Sequence, residues 1–518
     1  MSSGGVFQLI TNDGKQDRML MATAMLQARL KAIRAKRAAD PTLSDTTPTL
    51  LDIERTHVLF TNAHFKPFVA LGFEYNKVNT SAGTAQLGSD LQFSIPQFGD
   101  FFADMMFYTQ LTAPVLTSSD TGANAPACYW CDYPGERLLK KVAFEVNGNP
   151  LDLYTNDITP FYRKLHVSPN KMLAYNKCMG QQVPHDGYMQ HDVSAGPDGH
   201  RVLVKVVDGP QTPKSVQTNL ELFVPLLFWC NLDPRLAIAS VAIPFGQRYI
   251  NVTLASAADM CGYVLRGSGI AGNTTLSSPT IATASLYINN IFVNPEIHKI
   301  YIKRLGFTLI RVRRYQIIPT SLSTQETLLQ QLKWPIESLE IGLRPTSQKT
   351  SLRDWHKFCQ ATDTTYALPN IPNFNTTHAT VTPTALNAAA NVAFTWGQAD
   401  ATAVVEAQTI DNITITAHGV YLYNNLPSGF FSNYTQFTYG GANMQSSDDL
   451  GVCFIPFNLY PGTYQPSGHV NVSRAREFYF SYVSSVIGQN NPGEVVINGT
   501  AINFLLISDG SAVLRYST

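Results

Sequence analysis

The sequence predicts an all-β fold, a double jelly-roll of two tandem eight-stranded β-sandwich barrels with an N-terminal helical arm and long surface loops. Three observations lead to this fold class. From about residue 55 onward, short segments rich in Val, Ile, Phe, Tyr and Thr alternate with Gly, Pro, Asn and Asp. A break near residue 300 divides these segments into two similar groups. The 518 residues also suffice for several domains.

We therefore divide the chain into four parts. The N-terminal arm occupies 1–50, the first jelly roll 51–294, a short helical linker 295–304 and the second jelly roll 305–518. The linker is expected to be helical because Pro295 can open a helical turn and the residues up to Ile300 continue it.

The arm contains a predicted amphipathic helix over 17–38. Met19, Leu26 and Ile33 fall at helical spacing on one face, and basic residues between Arg29 and Arg37 cover much of the rest. Such a helix could bind an acidic protein or an anionic membrane face. It could equally pack on its own domain as an ordinary surface helix.

The predicted strands are recognised by β-branched and aromatic residues between turn-forming residues. In the first half they lie at 68–75, 91–95, 142–146, 202–207, 220–229, 249–254 and 286–293. In the second half they lie at 307–313, 336–343, 410–423, 452–459, 470–482, 495–507 and 512–516. Four weakly patterned stretches are predicted to be surface insertions, at 108–130, 165–200, 262–285 and 344–405.

Composition indicates extensive contacts between subunits. Charged residues make up only 14% of the chain and aromatic residues 11%. Such a chain usually buries surface beyond its own core, although a β-rich monomer with a Ser/Thr/Asn surface would look similar. With 37 basic and 37 acidic residues, the net charge is zero and no general attraction for nucleic acid is expected. The seven cysteines do not suggest a secreted disulfide framework, and no apolar run is long enough to span a membrane.

Two groups of residues could bind a metal. Cys128 and Cys131 have a Cys-x-x-Cys spacing, and Cys178 or His185 could complete a zinc site, but free thiols or a disulfide are alternatives. The other candidates are three histidines with irregular spacing in a polar loop, which we interpret as solvated: His185, His191 and His200. We predict no metal and no cofactor.

Three further clusters resemble parts of catalytic or charged sites. The adjacent carboxylates Asp448-Asp449 follow a Gly-Gly pair and suit a turn better than acid–base chemistry. The run Asp354-Trp355-His356 lacks the serine turn of a triad. Arg474 and Arg476 share one face of a predicted strand and suit interfacial pairing. We therefore predict no catalytic residues.

Long stretches of the chain resemble the major capsid proteins of nucleocytoplasmic large DNA viruses, of the African swine fever virus type. The similar segments include 4–15 (GGVFQLITNDGK), 62–67 (NAHFKP), 72–78 (GFEYNKV), 286–290 (LYINN), 332–337 (LKWPIE), 353–358 (RDWHKF), 464–480 (YQPSGHVNVSRAREFYF) and 511–518 (SAVLRYST). The sequence is shorter than those proteins, with little similarity around 110–130 and 180–205.

The resemblance implies a non-enzymatic structural protein that forms homotrimeric, pseudo-hexagonal capsomers tiling an icosahedral shell. Implied partners are neighbouring capsomers, minor capsid and penton proteins, and inner membrane proteins through the arm. Independently of the resemblance, we expect a folding chaperone, because long β-rich chains fold slowly and expose sheet edges. Implied locations are the outer shell of the virion and, for synthesis and assembly, the host cytoplasm. Two other functions remain open from the residues: a carbohydrate-binding or carbohydrate-cleaving β-sandwich protein, and a peripheral membrane protein using 17–38.

Overall fold

A computed structural model describes residues 25–32, 34–35, 38, 71–190, 201–243, 247–265, 269, 271–294, 306–366, 401–440, 444–472, 477–508 and 511–515. Strands and helices are numbered separately below, each in chain order. The predicted linker at 295–304 and the paired arginines Arg474 and Arg476 lie outside the described residues. Of the predicted arm helix, residues 25–32 are helical and exposed.

The first half contains eight principal strands in two sheets. One sheet has the order β1-β15-β3-β10, and the other has the order β2-β12-β6-β7. The bounds of these strands are β1 Gly72–Asn79, β2 Asp90–Ser94, β3 Phe101–Leu111, β6 Leu139–Val146, β7 Asn149–Thr155, β10 Leu220–Pro225, β12 Arg248–Leu254 and β15 Ile281–Phe292.

The second half repeats this arrangement. Its sheets have the orders β16-β26-β18-β23 and β17-β25-β21-β22. The strand bounds are β16 Gly306–Thr320, β17 Thr324–Leu328, β18 Pro335–Pro345, β21 Asn412–Ala417, β22 Val420–Pro427, β23 Cys453–Pro456, β25 Phe478–Val483 and β26 Gly493–Ser508.

The two halves have identical strand topology. When the principal strands of each half are counted from first to eighth, both halves show one sheet ordered 1-8-3-6 and a facing sheet ordered 2-7-4-5. All these pairings are antiparallel, for example Tyr75 opposite Asn289 and Tyr315 opposite Asn498. This is the eight-stranded Greek-key sandwich of a jelly roll. The predicted all-β double jelly-roll is therefore confirmed. Below, the name "first B-sheet" refers to the 1-8-3-6 sheet of the first half, β1-β15-β3-β10, and "second B-sheet" refers to the 1-8-3-6 sheet of the second half, β16-β26-β18-β23.

Alternating side chains build the core of each sandwich. Strand β12 alternates buried and half-buried residues along its whole length, as expected for a strand with one face on a core. Between the two sheets of the first half, the rings of Phe93 and Phe107 lie 5.9 Å apart, edge to face. In the second half, Ile415 and Phe480 pack with Ile341 and Ile497 of the facing sheet.

The predicted surface insertions contain more regular structure than the sequence indicated. Residues 108–111 complete β3, and 281–285 begin β15. The remaining short strands pair mainly in ribbons or at sheet edges: β4 Val115–Ser118, β5 Ala127–Trp130, β8 His185–Gln190, β9 Arg201–Val206, β11 Ile238–Ala239, β13 Cys261–Val264, β14 Thr274–Ser277, β19 Gln360–Tyr366, β20 Ala401–Ala407, β24 Val470–Asn471 and β27 Ser511–Leu514.

Several helices also interrupt the predicted strands and loops. Apart from the arm helix, the α-helices are α1 Pro134–Leu138, α2 Thr159–His166, α3 Pro169–Cys178, α4 Trp229–Leu232, α5 Ala257–Met260, α6 Thr346–Thr350 and α7 Thr435–Tyr439. A π-helical turn, Phe430–Tyr434, leads directly into α7, and short 3-10 turns occur at Gly122–Asn124, Pro234–Leu236, Ser240–Ala242 and Ala271–Asn273. No helix in the described part of the chain is both long enough and apolar enough to cross a membrane.

Four predicted strands are divided or shortened, and the simplest case is 452–459, of which only Cys453–Pro456 is a strand. The segment 220–229 ends as a strand at Pro225, and α4 begins at Trp229. The segment 410–423 is a hairpin, because His418 and Gly419 both have positive φ (54° and 75°) and form a tight turn between β21 and β22. The segment 470–482 contains two strands with 473–476 outside the described residues.

Candidate functional site: a buried junction between the jelly rolls

The two sandwiches meet along the outer face of the second B-sheet. Every residue of β18 is buried, so this sheet is covered on both faces. Its inner face belongs to the second sandwich, with Leu339, Ile341 and Leu343 in that core. Its outer face meets the first half, since Ile310 and Leu505 join the hydrophobic cluster of the first sandwich.

Helix α2 supplies the first half's main contribution to this junction. Pro160 lies at the start of the helix, where its missing N–H costs nothing. Phe161 and Leu165, four residues apart, point from one face and pack on Phe454 and Val496 of the second B-sheet. The ring of Phe161 also stacks on that of Phe358, with centroids 4.2 Å apart.

The same helix carries two buried cations. Arg163 donates from Nε to Oε1 of Glu136 at 2.9 Å, and its guanidinium lies 3.5 Å from the centre of the Tyr133 ring. Lys164 forms a salt bridge with Asp449 and donates to the carbonyl oxygen of His356 at 2.7 Å. Because a buried charge is costly unless it is paired, these contacts fix the position of the helix closely.

Asp449 is the anion at the centre of the junction. Its carboxylate accepts from the backbone N–H groups of Phe358, Cys359 and Gly451 at 2.8, 3.0 and 2.9 Å. Burial alone would raise the pKa of Asp449, but the charge of Lys164 and these hydrogen bonds outweigh it and lower the pKa. The carboxylate is therefore ionised and fully satisfied.

A second carboxylate ties α2 to the sheet. Nε2 of His166 lies 2.7 Å from Oε1 of Glu340, on the outer face of β18. The other oxygen, Oε2, accepts from Nδ2 of Asn498 on β26 at 2.7 Å. Burial of Glu340 would raise its pKa, but the charge and hydrogen bond of His166 outweigh this effect, and the pKa is lowered.

Arg344 forms a further group of buried ion pairs between the two halves at the junction. It is 1% exposed and forms salt bridges with Asp157 from the first half and Glu494 from the second. It also donates to the carbonyl oxygen of Trp355 at 2.6 Å. Lys349 contributes a further cation, 2.6 Å from Oε2 of Glu494.

His356 is the buried titratable group that links these pairs. Its Nδ1 lies 3.1 Å from NH2 of Arg163, and its Nε2 lies 3.9 Å from Oδ2 of Asp132. Burial, then the charges of Arg163, Lys164 and Lys357, lower the pKa of His356 well below 6.5. The imidazole is therefore neutral near pH 7 and accepts a hydrogen bond from Arg163.

Acidification should consequently weaken the folded state through His356. Below about pH 6.5 the unfolded chain binds a proton at this residue that the folded chain does not, so stability falls as pH falls. We expect the free energy of unfolding of the natural protein to decrease, relative to His356→Asn, by up to about 1.4 kcal/mol per pH unit below pH 6.5. The asparagine keeps an acceptor near Arg163.

Calorimetric unfolding of both proteins between pH 7.5 and 5 measures this difference. The comparison with the variant is needed because burial raises the pKa of Asp132 and of Asp152 to about 6, and both groups stabilise the folded state as pH falls below that value. Parallel profiles for the two proteins would contradict a buried neutral histidine.

The structure shows the environments of most of the cysteines and histidines that the sequence suggested as possible metal ligands. Cys128 and Cys131 are both buried free thiols, and burial raises the pKa of each. Cys178 is half-buried, and His185 is exposed at the start of β8 rather than in a loop. His191 and His200 lie outside the described residues. Across the described residues, no group of three or more His, Cys, Asp or Glu side chains is arranged to hold a metal ion.

In the motifs Asp448-Asp449 and Asp354-Trp355-His356, the neighbouring polar side chains have different environments. Asp448 is exposed and Asp449 is buried, so the adjacent carboxylates point apart, as expected. A simple turn is an incomplete description of Asp449, however, because it pairs with Lys164 from the other sandwich. Asp354 lies near Nζ of Lys357 at 3.3 Å, whereas His356 is directed towards Arg163. These contacts of Asp354 and His356 are typical of side chains that stabilise the fold rather than of a catalytic triad.

Comparisons with known proteins agree with this architecture. Residues 70–294 match the family model described as major capsid protein N-terminus, and residues 294–513 match that of large eukaryotic DNA virus major capsid protein. The chain is 34% identical to the major capsid protein of African swine fever virus over 659 aligned positions, covering 100% of both proteins. It is 25% identical to that of Phaeocystis pouchetii virus over 240 residues, covering 44% and 45%.

Solved structures give the same result. The Faustovirus major capsid protein superposes with a TM-score of 0.72 at 35% identity, covering 96% of this chain and 100% of that one. The PBCV-1 virus capsid shares the fold, with a TM-score of 0.58 at 19% identity and coverage of 89% and 100%. The fold defines a double jelly-roll capsid protein. The chain belongs to the family of large eukaryotic DNA virus major capsid proteins.

The predicted class of function is confirmed by this membership. The relatives are structural major capsid proteins rather than enzymes, and the carbohydrate-binding or carbohydrate-cleaving alternative has no support among them. The protein is a virion component that assembles with neighbouring subunits into capsomers and a shell. The buried junction gives each subunit two sandwiches in one fixed orientation.

Proposed function

We propose that the protein forms homotrimeric, pseudo-hexagonal capsomers that tile the outer icosahedral shell of its virion. The observation that carries this proposal is the repeated topology. Two sandwiches with the same strand order, joined rigidly, give a trimer six equivalent barrels, and a threefold assembly then presents six similar sides to its neighbours. In this proposal the two units are the jelly rolls at 51–294 and 305–518, joined by the linker at 295–304.

Further partners follow from a shell of this kind. We propose contacts with minor capsid and penton proteins, and with inner membrane proteins through the basic arm at 1–50. Assembly in the host cytoplasm with the help of a folding chaperone completes the proposal. Support for a chaperone comes from the long-range pairing of β1 with β15 and of β16 with β26, since such contacts form slowly and leave sheet edges exposed meanwhile.

Light scattering coupled to size exclusion tests the oligomer directly. A homotrimer has three times the 57.0 kDa mass of the chain. We expect that mass for natively folded protein across a wide range of concentrations, because subunits with few charges form broad contacts. A monomer under every folding condition, with native circular dichroism, would contradict the proposed capsomer.

A further inference from the structure

The two B-sheets differ in how their outer faces are covered. The outer face of the second B-sheet is buried under the first half of the same chain, as described above. The outer face of the first B-sheet is not covered by the described residues. Phe73 and Tyr75 are each 57% exposed there, and Met106, Tyr108 and Tyr287 are half-buried. Among the described residues, one B-sheet face is therefore covered and the equivalent face of the other sandwich is exposed.

The two faces carry the same polar pair. On the second B-sheet, Glu340 of β18 accepts from Asn498 of β26 at 2.7 Å. On the first, Asp104 of β3 accepts from Asn289 of β15, also at 2.7 Å. When the sheets are aligned on this pair, Tyr287 takes the position of Val496, two residues before the asparagine. Val496 is where α2 packs on the second B-sheet.

The second half also has an equivalent of α2. In the first half, α2 begins directly after the fifth principal strand, β7. In the second half, the helical segment 430–439 begins directly after the fifth principal strand, β22. One face of this segment packs on its own sandwich through Phe431, Thr435 and Gln436. The opposite face exposes Tyr434 by 53% and Phe437 by 83%.

The preceding strands are equivalent as well. Strand β7 lies against β16, where Asp152 accepts from the backbone N–H of Arg313 at 3.1 Å. The corresponding strand of the second half, β22, exposes Val420 and Tyr421 by 62% each. Large exposed apolar side chains grouped in this way mark a protein interface.

We propose that the exposed face of 430–439 and β22 of one copy docks on the outer face of the first B-sheet of a second copy, and so repeats the junction found within each chain. This inference rests on the proposed homotrimer and identifies its contact surfaces. Because the contact is head-to-tail, three copies close into a ring in which every sandwich covers the B-sheet of the next.

The two junctions differ in chemistry. Helix α2 contributes Arg163, Lys164 and His166, whereas the segment 430–439 contains no ionisable residue except Tyr434 and Tyr439. On the opposing face, Asp104 already accepts from Tyr75 at 2.8 Å and Glu221 from Tyr108 at 2.7 Å. The segment 430–439 therefore contributes aromatic and uncharged side chains without a cation, and the contact should depend less on salt than one built on charge pairs.

Interface charge variants test the pairing of these surfaces. A buried glutamate without a partner should weaken association by about 100-fold or more. We expect Phe437→Glu and Met106→Glu each to be folded by circular dichroism and no longer trimeric by light scattering. The control Tyr460→Glu, at a 66% exposed aromatic residue elsewhere, should remain a trimer. Trimers from either interface variant would overturn the inference and leave the capsomer proposal intact.

Disulfide trapping provides a second measurement, which cross-links the proposed interface instead of disrupting it. A chain with Phe437→Cys and Tyr287→Cys, oxidised as a trimer, should yield covalent dimers and trimers on a denaturing gel. Phe437→Cys alone, and Tyr460→Cys combined with Tyr287→Cys, should yield monomers. A native trimer that gives no covalent dimer from the first chain would overturn the pairing. Failure of the unmodified protein to form any trimer would instead overturn the proposed function.

Discussion

Lys164→Met should lower the free energy of unfolding by about 3–5 kcal/mol. The substitution leaves the carboxylate of Asp449 buried without its cation, and the loss of one partner from a buried ion pair costs this much. The methionine preserves most of the apolar stem of the lysine, and it loses the ammonium group that lies 5.3 Å from the centre of the Phe358 ring. Urea unfolding of the purified protein, followed by circular dichroism, measures the change.

The matched control is an ion pair on the surface. Lys205 and Asp186 form a salt bridge with 68% and 59% of their side chains exposed. Lys205→Met should change stability by less than about 1 kcal/mol, because water screens the pair. Similar losses for Lys164→Met and Lys205→Met would show that the junction does not depend on buried charge.

Gly451→Ala should destabilise the same region by about 3 kcal/mol through a steric conflict. A Cβ at Gly451 would lie 2.2 Å from both the carbonyl carbon and the carbonyl oxygen of Phe358. Because these are backbone atoms, a side-chain rotation cannot relieve the overlap. The displacement would also disturb the N–H groups of Phe358 and Cys359 that hold Asp449.

Gly272→Ala is the control for this substitution, since nothing lies within 4 Å of a Cβ at Gly272. We expect its thermal midpoint to match that of the natural protein, whereas the midpoint of Gly451→Ala should be several degrees lower in the same scans. A neutral Gly451→Ala would mean that the two backbone segments do not approach each other as described.

Most of the principal strands could be predicted because their physical signal is local, whereas β3, β7 and β17 are not among the predicted strands. In β12 and β25, alternate side chains point to the core, and this alternation can be read directly from the residues. The hairpin at β21 and β22 was predicted as one strand because the turn at His418-Gly419 contains a histidine in a left-handed conformation. Non-glycine residues are uncommon in this conformation, and His-Gly is not one of the residue pairs typical of a hairpin turn, so the turn carries little signal in the sequence.

The junction could not be predicted, because its signal is not local. From the sequence, Arg163 and Lys164 are expected to be surface residues of a short helix. In the folded chain both are buried, in ion pairs with Glu136 and Asp449. Lys164 and Asp449 are separated by 285 residues. The Pro-initiated helix around Phe161 was detectable in principle, but it lies between the predicted strand 142–146 and the predicted surface insertion 165–200, where the sequence predicts no element.

The resemblance to a capsid family supplied what the residues alone did not. Low charge content suggested subunit contacts but identified neither of the surfaces. The repeated strand order, together with the difference between the covered and uncovered B-sheets, gives those surfaces a physical basis. The exposed Phe437 would be unfavourable in an isolated subunit and is consistent with one that is completed by its neighbours.

Electron cryo-microscopy of the purified protein tests the central claim most directly. If two sandwiches locked at a buried junction make a threefold assembly act as a six-sided unit, the particles should be trimers with a hexagonal outline. Six sandwiches should then lie in a ring, with matching contacts within and between chains. Particles in which the two sandwiches of one chain take variable relative orientations, or a trimer of three separate lobes, would contradict it.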